Sequence, residues 1–337
     1  MRTNPVRPAS FRAHAAALAA LALGAIALAR AGGDAMLVVD PGGGGDARTL
    51  AEAVARAPRG SRILLRPGVY RESVVIERSL HIEGAGGERA ATVIEARAGA
   101  CLTFARGGGS VRRLTLRYLG GAARHCIEIA SGRPRVEDCD VSGNGAPVIG
   151  VHGGADPVIR GNRIHHGATA GVRVYAGGRG LIEDNDIAAS ASSGVVLVDA
   201  AGTRIRGNRI HHNRYAGVFV FESRAVRIEG NAIFDNALSG VDLSDGAQAS
   251  LRANRIHRNA QAGVVLGARA AAHLDGNEIF ANGSAGILLE AGADVRLRAN
   301  RVHANRQAGI YALGGRVPPL EGNTVRRNGL AEIVVEP

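Results

Sequence analysis

The chain has 337 residues, enough for one large domain or two ordinary ones. Its 41 basic residues are all arginine, and its formal net charge is +11. The exclusive use of arginine is more typical of GC-rich coding than of a nucleic-acid-binding surface, so we predict no nucleic-acid partner. Aromatic residues make up only 3% and tryptophan is absent, which excludes a core built on large rings and predicts one built from Val, Ile, Leu and Ala.

The N-terminal segment resembles an export signal. Three arginines provide a positive start: Arg2, Arg7 and Arg12. Residues 15–29 form an uncharged apolar run, and a small-x-small site ends at Ala31. The run is shorter than the about 20 residues that span a bilayer. We therefore predict a signal peptide at 1–31 rather than a retained anchor. We also predict a periplasmic or secreted protein with no stable membrane span after cleavage.

Residues 32–124 are predicted to form an N-terminal cap and the first coils of a repeat fold. Thr49 and Glu52 have the spacing of a helix capping box. Leu50, Ala53 and Val54 lie on one face of the helix that would follow. A short amphipathic helix of this kind can close the apolar end of a repeat fold.

Three cysteines follow: Cys101, Cys126 and Cys139. An odd number argues against a disulfide framework. Cys101 and Cys126 begin the similar strings CLTF and CIEI, which predicts that they stack on adjacent coils. A bridge between them is one interpretation, and buried apolar packing is the favoured one.

Residues 125–337 contain an internal repeat. Eight asparagines recur every 23 residues: Asn162, Asn185, Asn208, Asn231, Asn254, Asn277, Asn300 and Asn323. Each unit contains short β-branched runs separated by turn residues and no segment of helix length. We predict an all-β fold, a right-handed parallel β-helix (solenoid) with 23-residue coils and a short N-terminal capping helix, continuous with 32–124 as one domain.

Stacking in register places residues at equal offsets above one another in columns. Neighbours within a column are about 4.8 Å apart. The asparagines are predicted to form hydrogen-bonded ladders. One further offset alternates in charge through nine coils: Glu137, Arg160, Glu183, Arg206, Glu229, Arg252, Asp275, Arg298 and Glu321. Histidines recur in a third column on every second coil, too far apart for two of them to share one metal ion. The pairs His165-His166 and His211-His212 are only weak indications of a metal site. We therefore predict structural packing and no metal site.

The segment VVDPGGGGDARTLAEAVARAPRGSRILLRPGVYRESVVIERSLHIEGAG resembles the opening of pectin-lyase-like superfamily proteins, with a helix followed by P-G-x-Y-x-E. The repeats resemble those of carbohydrate-binding and sugar-hydrolase β-helices, and the resemblance covers residues 37–335. It implies the fold and a polysaccharide ligand on one sheet. The sequence lacks the pectin methylesterase motifs G-F/Y-Q-D and D-F-I-F-G. It also lacks the D-P-H motif of mannuronan epimerases and the R-D-G and Tyr-Met pairs of the nitrous-oxide accessory family.

The outer face of the G-V-x-V strand is the candidate binding surface, because exposed rings and an apolar patch usually mark one. Eight residues on or beside it are predicted to bind substrate: His152, Arg173, Tyr175, Phe219, Phe221, Arg224, Glu290 and Tyr311. Arginine and histidine would bind a uronate carboxylate, and aromatic faces would stack on sugar rings.

Four carboxylates are the candidate catalytic residues: Asp242, Asp199, Glu222 and Asp245. Asp242 is an isolated charge on an otherwise apolar strand face. The other three share one offset on consecutive coils, so their like charges are stacked. Such a stack requires a counter-charge, for which Arg224 is a candidate, or a calcium ion as cofactor. Paired carboxylates also suit glycoside hydrolysis, whereas a solvated turn with the side chains splayed apart is the structural alternative.

Three functions stay open. The first is an enzyme on acidic polysaccharide, of hydrolase, lyase or epimerase type. The second is a non-catalytic glycan-binding or scaffold protein of the cell envelope, which the regular coils favour. The third is a periplasmic metalloenzyme maturation accessory protein, suggested by the N-terminal resemblance and testable by copper titration. The final strand has no substantial cap after it, so the C-terminal sheet end is a predicted route to oligomers.

Overall fold

The computed structural model describes residues 35–86, 89–121, 124–314 and 316–337. The predicted signal peptide at 1–31 lies outside these residues. Three long parallel sheets wind around one apolar core, and each coil contributes one strand to each sheet. Besides the strands, the described chain has helix α1 (Leu50–Arg56) and a 3-10 turn at Arg89–Ala91.

Sheet A has 13 strands and sheets B and C have 12 each. Sheet A consists of β1 (Met36–Val39), β2 (Arg62–Leu65), β5 (Leu80–Gly84), β8 (Gly109–Arg112), β11 (Arg135–Glu137), β14 (Val158–Arg160), β17 (Leu181–Glu183), β20 (Arg204–Arg206), β23 (Val226–Glu229), β26 (Gln248–Arg252), β29 (Ala271–Asp275), β32 (Asp294–Arg298) and β35 (Leu320–Glu321). Sheet B consists of β3 (Gly68–Arg71), β6 (Thr92–Ala96), β9 (Thr115–Tyr118), β12 (Asp140–Gly143), β15 (Arg163–His165), β18 (Asp186–Ala188), β21 (Arg209–His211), β24 (Ala232–Phe234), β27 (Arg255–His257), β30 (Glu278–Phe280), β33 (Arg301–His303) and β36 (Thr324–Arg326). Sheet C consists of β4 (Val74–Ile76), β7 (Leu102–Phe104), β10 (Ile127–Ile129), β13 (Ile149–Val151), β16 (Val172–Tyr175), β19 (Val195–Val198), β22 (Val218–Phe221), β25 (Val241–Leu243), β28 (Val264–Leu266), β31 (Ile287–Leu289), β34 (Ile310–Leu313) and β37 (Ile333–Glu336).

Strand alternation separates the core from the surface. On β16, Val172 and Val174 are buried while Arg173 between them is exposed. The pattern persists from coil to coil because the register holds, with Val172 opposite Val195 and Val174 opposite Leu197. Each coil adds the same few aliphatic side chains to the core, as the composition predicted.

Helix α1 closes the N-terminal end as predicted. The Thr49 hydroxyl accepts a hydrogen bond from the Glu52 amide at 3.1 Å. The Glu52 carboxylate accepts from the Arg48 amide rather than from that of Thr49, so the capping box is shifted by one residue. Leu50, Ala53 and Val54 are buried against the first coil.

The asparagine ladder is confirmed. Each buried ladder side chain bridges two coils: Asn231 Nδ2 donates to Ile205 O at 2.9 Å and to Asn254 Oδ1 at 3.0 Å, and Asn208 N donates to Asn231 Oδ1 at 2.9 Å. These bonds satisfy turn backbone that would otherwise be buried without partners.

The alternating charge column forms contacts in its first half. Glu183 accepts from Arg160 and lies 3.6 Å from Arg206. The histidine column packs as predicted, as a continuous stack of rings in sheet B: His211, Phe234, His257, Phe280 and His303. Burial, followed by the charges of Arg258 and Arg255, lowers the pKa of His257.

Cys101 and Cys126 lie on adjacent coils as predicted, with sulfur atoms 3.5 Å apart and both thiols buried. Burial raises the pKa of Cys126, which keeps it protonated. Of the helices in the described ranges, none has the length and apolar character needed to cross a membrane.

Candidate active site on sheet C

Five polar side chains meet on the outer face of sheet C, across β10, β13 and β16. We call them the sheet C cluster: His125, Glu128, His152, Arg173 and Tyr175. Register places Glu128 opposite Gly150 and Gly150 opposite Arg173, so the two charges flank a strand that has no side chain between them. The cluster is therefore positioned by strands held in register, and its polar side chains lie on the outer face.

His125 and Tyr175 form a hydrogen-bonded pair. His125 Nδ1 lies 3.0 Å from the Pro147 carbonyl oxygen, which can only accept, so the proton is on Nδ1. The free Nε2 lone pair then lies 3.4 Å from the Tyr175 hydroxyl, which donates to it. Burial lowers the pKa of His125, and burial together with Glu128 raises the pKa of Tyr175. The pair is a neutral imidazole beside a neutral phenol.

His152 and Arg173 complete the cluster. His152 Nε2 donates to Glu128 Oε1 at 3.2 Å, and its ring lies 5.0 Å from that of Tyr175. The Arg173 guanidinium stacks over the Tyr175 ring with its central carbon 4.9 Å from the ring centroid. Arg173 is exposed, and none of the ion pairs found among the described residues involves it, so its charge is available to an anion.

Gly150 makes room for His125. A Cβ added there would lie 2.4–2.6 Å from three atoms of the imidazole ring. At the corresponding position later coils have Val196, Phe219 or Asp242. Only glycine leaves the strand face open enough for His125 to lie across it.

The predicted catalytic carboxylates do not come together as a pair of hydrogen-bonded acids. Asp242 is half-buried on the face, where Ser244 donates to it at 2.9 Å and burial raises its pKa. Asp199 and Glu222 lie in exposed turns with φ of 51° and 47°. Asp245 pairs with Arg269 at 3.1 Å.

Arg224 forms none of the ion pairs found among the described residues, so its predicted roles as counter-charge and as substrate-binding residue stay predictions. Arg269 is the counter-charge of Asp245, whereas Arg224 lines a cavity on the sheet A side with Arg227 and Gln248. Arg224 is exposed in the turn between β22 of sheet C and β23 of sheet A.

The other predicted binding residues lie farther along the same face. Phe219 and Phe221 are half-exposed on β22, two coils beyond Tyr175. Glu290 accepts from the Ala268 amide at 3.1 Å, and Tyr311 donates to Glu336 near the C-terminal end. The face therefore changes from the polar sheet C cluster to an apolar stretch over β19 and β22.

Sequence reasoning identified His152, Arg173 and Tyr175 but missed Glu128 and His125. Glu128 belongs to the same column as Arg173, one coil before Gly150, and extending that column would have found it. His125 lies in the turn before β10. An outward-facing glycine at 150 was the signal that another side chain covers that strand.

Within the described ranges, no group of three or more His, Cys, Asp or Glu side chains is arranged to hold a metal ion. Calcium at Asp199, Glu222 and Asp245 stays a prediction without a coordinating group of side chains to support it.

Three parallel sheets, to which successive coils each add one strand, define the class of parallel β-helix proteins. The family model described as the right handed beta helix region matches residues 101–246 and 194–336, more than half of the chain. The chain belongs to this family, which confirms the predicted right-handed parallel β-helix of pectin-lyase-like type. No curated protein matches the chain in sequence.

Solved structures share the fold. One is the A-module of the mannuronan C-5 epimerase AlgE4 from Azotobacter vinelandii, with 16% identity, a TM-score of 0.56, and 85% of this chain and 91% of that one covered. Another is the catalytic domain of a GH87 α-1,3-glucanase in complex with nigerose, with 12% identity, a TM-score of 0.64, and 89% and 66% covered. A third is the Dettilon tailspike protein, with 12% identity, a TM-score of 0.52, and 84% and 63% covered. At these identities the likeness shows the fold alone.

Proposed function

We propose that this protein is an exported enzyme that cleaves acidic polysaccharide by β-elimination at the sheet C cluster. The observation that carries the proposal is the juxtaposition of an unpaired Arg173 with the neutral His125–Tyr175 pair on an open sheet face. These are the groups needed to bind a uronate carboxylate and to move a proton beside it.

Carboxylate binding comes first. A uronate has its acidic C5–H next to a carboxylate, and removing that proton places negative charge on the carboxylate oxygens. Arg173 can neutralise this charge through paired N–H donors. His152, held by Glu128, places a second imidazole on the same sheet face. Stabilising charge as it develops is usually the largest contribution to such a step.

Proton transfer follows on the His125–Tyr175 pair. As the Tyr175 hydroxyl turns from His125 toward the leaving C4 oxygen, it frees the Nε2 lone pair of His125, which takes the C5 proton. The electron pair of the broken C5–H bond forms the C4–C5 double bond as the C4–O bond breaks. The Tyr175 hydroxyl gives its proton to the leaving oxygen. His125 then returns a proton to Tyr175 across their 3.4 Å contact, so both side chains end as they began. If the C4–O bond stays intact and water gives a proton to C5 from the opposite face, the sugar is epimerised, and His125 returns its proton to the hydroxide that remains.

The related folds support a polysaccharide substrate. Two of the similar structures are named mannuronan epimerase and α-1,3-glucanase. Of these two substrates, mannuronan is the acidic one, which agrees with the chemistry of Arg173. The apolar stretch with Phe219 and Phe221 lies beside the cluster and would stack on neighbouring sugar rings. Export to the periplasm or beyond the cell, proposed from residues 1–31, would bring the enzyme to such polymers.

Hydrolysis at Asp242 is the second candidate function. Burial raises the pKa of Asp242, and the charge of Glu290 raises it further, which is the environment of a general acid. An enzyme of this kind would release reducing ends from neutral glycans and would lose activity in Asp242→Asn.

The test measures unsaturated products from a panel of polyuronates and neutral glycans. We expect turnover on a polyuronate, a fall in kcat of roughly 10²- to 10⁴-fold in Tyr175→Phe with little change in KM, and a raised KM in Arg173→Gln. Tyr215→Phe is the matched control, since Tyr215 is exposed and lies off the sheet C face.

Three other outcomes would contradict the proposal. Polyuronate binding without turnover would favour the glycan-binding or scaffold function. Reducing ends without unsaturation, lost in Asp242→Asn, would favour hydrolysis. Loss of turnover in Tyr215→Phe to the same extent as in Tyr175→Phe would remove the assignment to the sheet C cluster.

A further inference from the structure

Two histidine pairs on sheet B share one geometry. His165-His166 ends β15 and His211-His212 ends β21, two coils later, which is about 9.6 Å along the axis at the usual strand spacing. The second histidine of each pair has a left-handed backbone, with φ of 56° and 54°. This conformation turns its ring back beside the first, and the ring centroids lie 4.8 and 5.0 Å apart.

In both pairs two ring nitrogens converge. Nδ1 of His165 lies 2.5 Å from Nδ1 of His166, and the corresponding distance between His211 and His212 is 2.8 Å. Atoms this close require a proton or a cation between their lone pairs.

A carboxylate orients the first ring of each pair. Asp140 Oδ1 lies 2.9 Å from His165 Nε2, and Asp186 Oδ1 lies 3.3 Å from His211 Nε2. The carboxylate holds the ring proton on Nε2, which leaves Nδ1 with a free lone pair directed at the next histidine. Metal-binding histidines are oriented in this way, with a carboxylate on the nitrogen remote from the ion.

We propose that each pair is a binding site for one divalent transition-metal ion, such as Cu²⁺ or Zn²⁺, held by the two Nδ1 atoms. Imidazole is a preferred ligand of these ions. Two nitrogens that each lie about 2.0 Å from one ion are roughly 3 Å apart. The His211–His212 nitrogens, 2.8 Å apart, are already close to this value. The His165–His166 nitrogens, 2.5 Å apart, reach it if the exposed His166 ring rotates outward.

The remaining positions around each ion are open. His166 and His212 are exposed, so water or an anionic group can complete the coordination. Arg163 and Arg209 each lie 3.4 Å from the orienting carboxylates, which makes Asp140 and Asp186 orienting groups and not ligands. Each ion would therefore have two protein nitrogens.

The chain contains its own negative control. His303 occupies the same column as His165 and His211, and its Nε2 lies 3.5 Å from Glu278. The next residue is Ala304, so the second nitrogen is missing. Ala304 has the same left-handed backbone, with φ of 55°, as His166 and His212. A histidine placed there would complete a third site.

The experiment titrates the full chain, without a polyhistidine tag, with Cu²⁺ and separately with Zn²⁺ by calorimetry. We expect two ions per chain, one in His166→Ala and none of that affinity in the His166→Ala/His212→Ala double variant. Copper spectra should show two nitrogen ligands per ion. His303→Ala should leave the number at two, and Ala304→His should raise it to three.

Two results would overturn the inference. An unchanged stoichiometry in the double variant would place the metal elsewhere, for example at His125 and His152. No binding by the wild type, with an Nδ1–H···Nδ1 proton detected by NMR, would show that a shared proton holds each pair together. Circular dichroism establishes that the variants are folded, and polyuronate turnover, which depends on sheet C, is scored separately.

Discussion

At the scale of single residues, the charge of His125 decides what the sheet C cluster can do. The imidazole is half-buried and faces the charge of Arg173, both of which favour its neutral form. Burial likewise keeps Tyr175 as a phenol. Burial and the neighbouring charges thus keep a neutral base beside a neutral acid.

This arrangement predicts the pH dependence of turnover. The pKa of His125 lies below its ordinary value of 6.5, so the neutral base is present at neutral pH and is lost only as the pH falls below that value. We expect kcat/KM to stay level from neutral pH down to about 6.5 and to decline below it. A profile that declines through pH 7 toward acid would contradict the assignment of a neutral His125 as the base.

Gly150→Ala tests the space that His125 occupies. The added Cβ would overlap the imidazole and displace it from Tyr175. Because misplacing a reacting group by about 1 Å can cost 10²-fold, we expect a fall in kcat of roughly that size. The control is Gly267→Ala on the same face, where the nearest atom to a new Cβ is 3.3 Å away. Equal losses in both variants would indicate general damage to the sheet.

Asp242→Asn tests the electrostatics of the apolar stretch. Burial raises the pKa of Asp242, so the folded state binds the proton more tightly than the unfolded state does. The contribution to stability is therefore complete below the unfolded pKa of about 3.8 and is lost as the pH rises through the higher folded value. We expect Asp242→Asn to raise the Tm at pH 7 and to leave it nearly unchanged at pH 3. A lower Tm at pH 7 would mean that the ionised carboxylate is stabilising.

At the scale of the structural elements, the asparagine ladder determines how coils stack. Asn231→Leu would leave the Asn208 amide and the Ile205 carbonyl without these partners in a buried turn. Each unsatisfied buried group costs about 1–3 kcal/mol, so we expect a clear drop in Tm with turnover per folded molecule unchanged.

Asn323→Leu is the matched control for the ladder. Asn323 lies at the C-terminal end of the ladder and is only half-buried, so water can replace its bonds. We expect a smaller loss of Tm there. The same Tm as the wild type in Asn231→Leu would refute the structural role of the ladder.

At the scale of the whole molecule, the repeat explains why the fold was predictable. A constant interval of 23 residues fixes which offsets stack, so strands, ladders and inward-facing residues followed from the sequence. The same rule placed His152, Arg173 and Tyr175 on one face. It failed for His125, because Ile127 and Ile149 pair across an interval of 22 residues and the turn before β10 departs from the repeat.

The carboxylates show the other limit of prediction from the repeat. Equal offsets predicted that Asp199, Glu222 and Asp245 would stack at one turn, but side-chain direction in a left-handed turn is not set by the period. Arg269, with φ of 124°, lies in an irregular turn and reaches Asp245 from the next coil. Backbone register follows from the sequence period, whereas contacts between long charged side chains require the structure.

Deuterium exchange at C5 is the most direct test of the central claim that the sheet C cluster removes a proton beside a uronate carboxylate. A polyuronate would be incubated with the protein in deuterated water and examined by NMR and ultraviolet absorbance. We predict unsaturated products, or deuterium at C5 if a proton is returned, with both signals lost in Tyr175→Phe and retained in Tyr215→Phe. Bound polyuronate with neither signal would contradict the account.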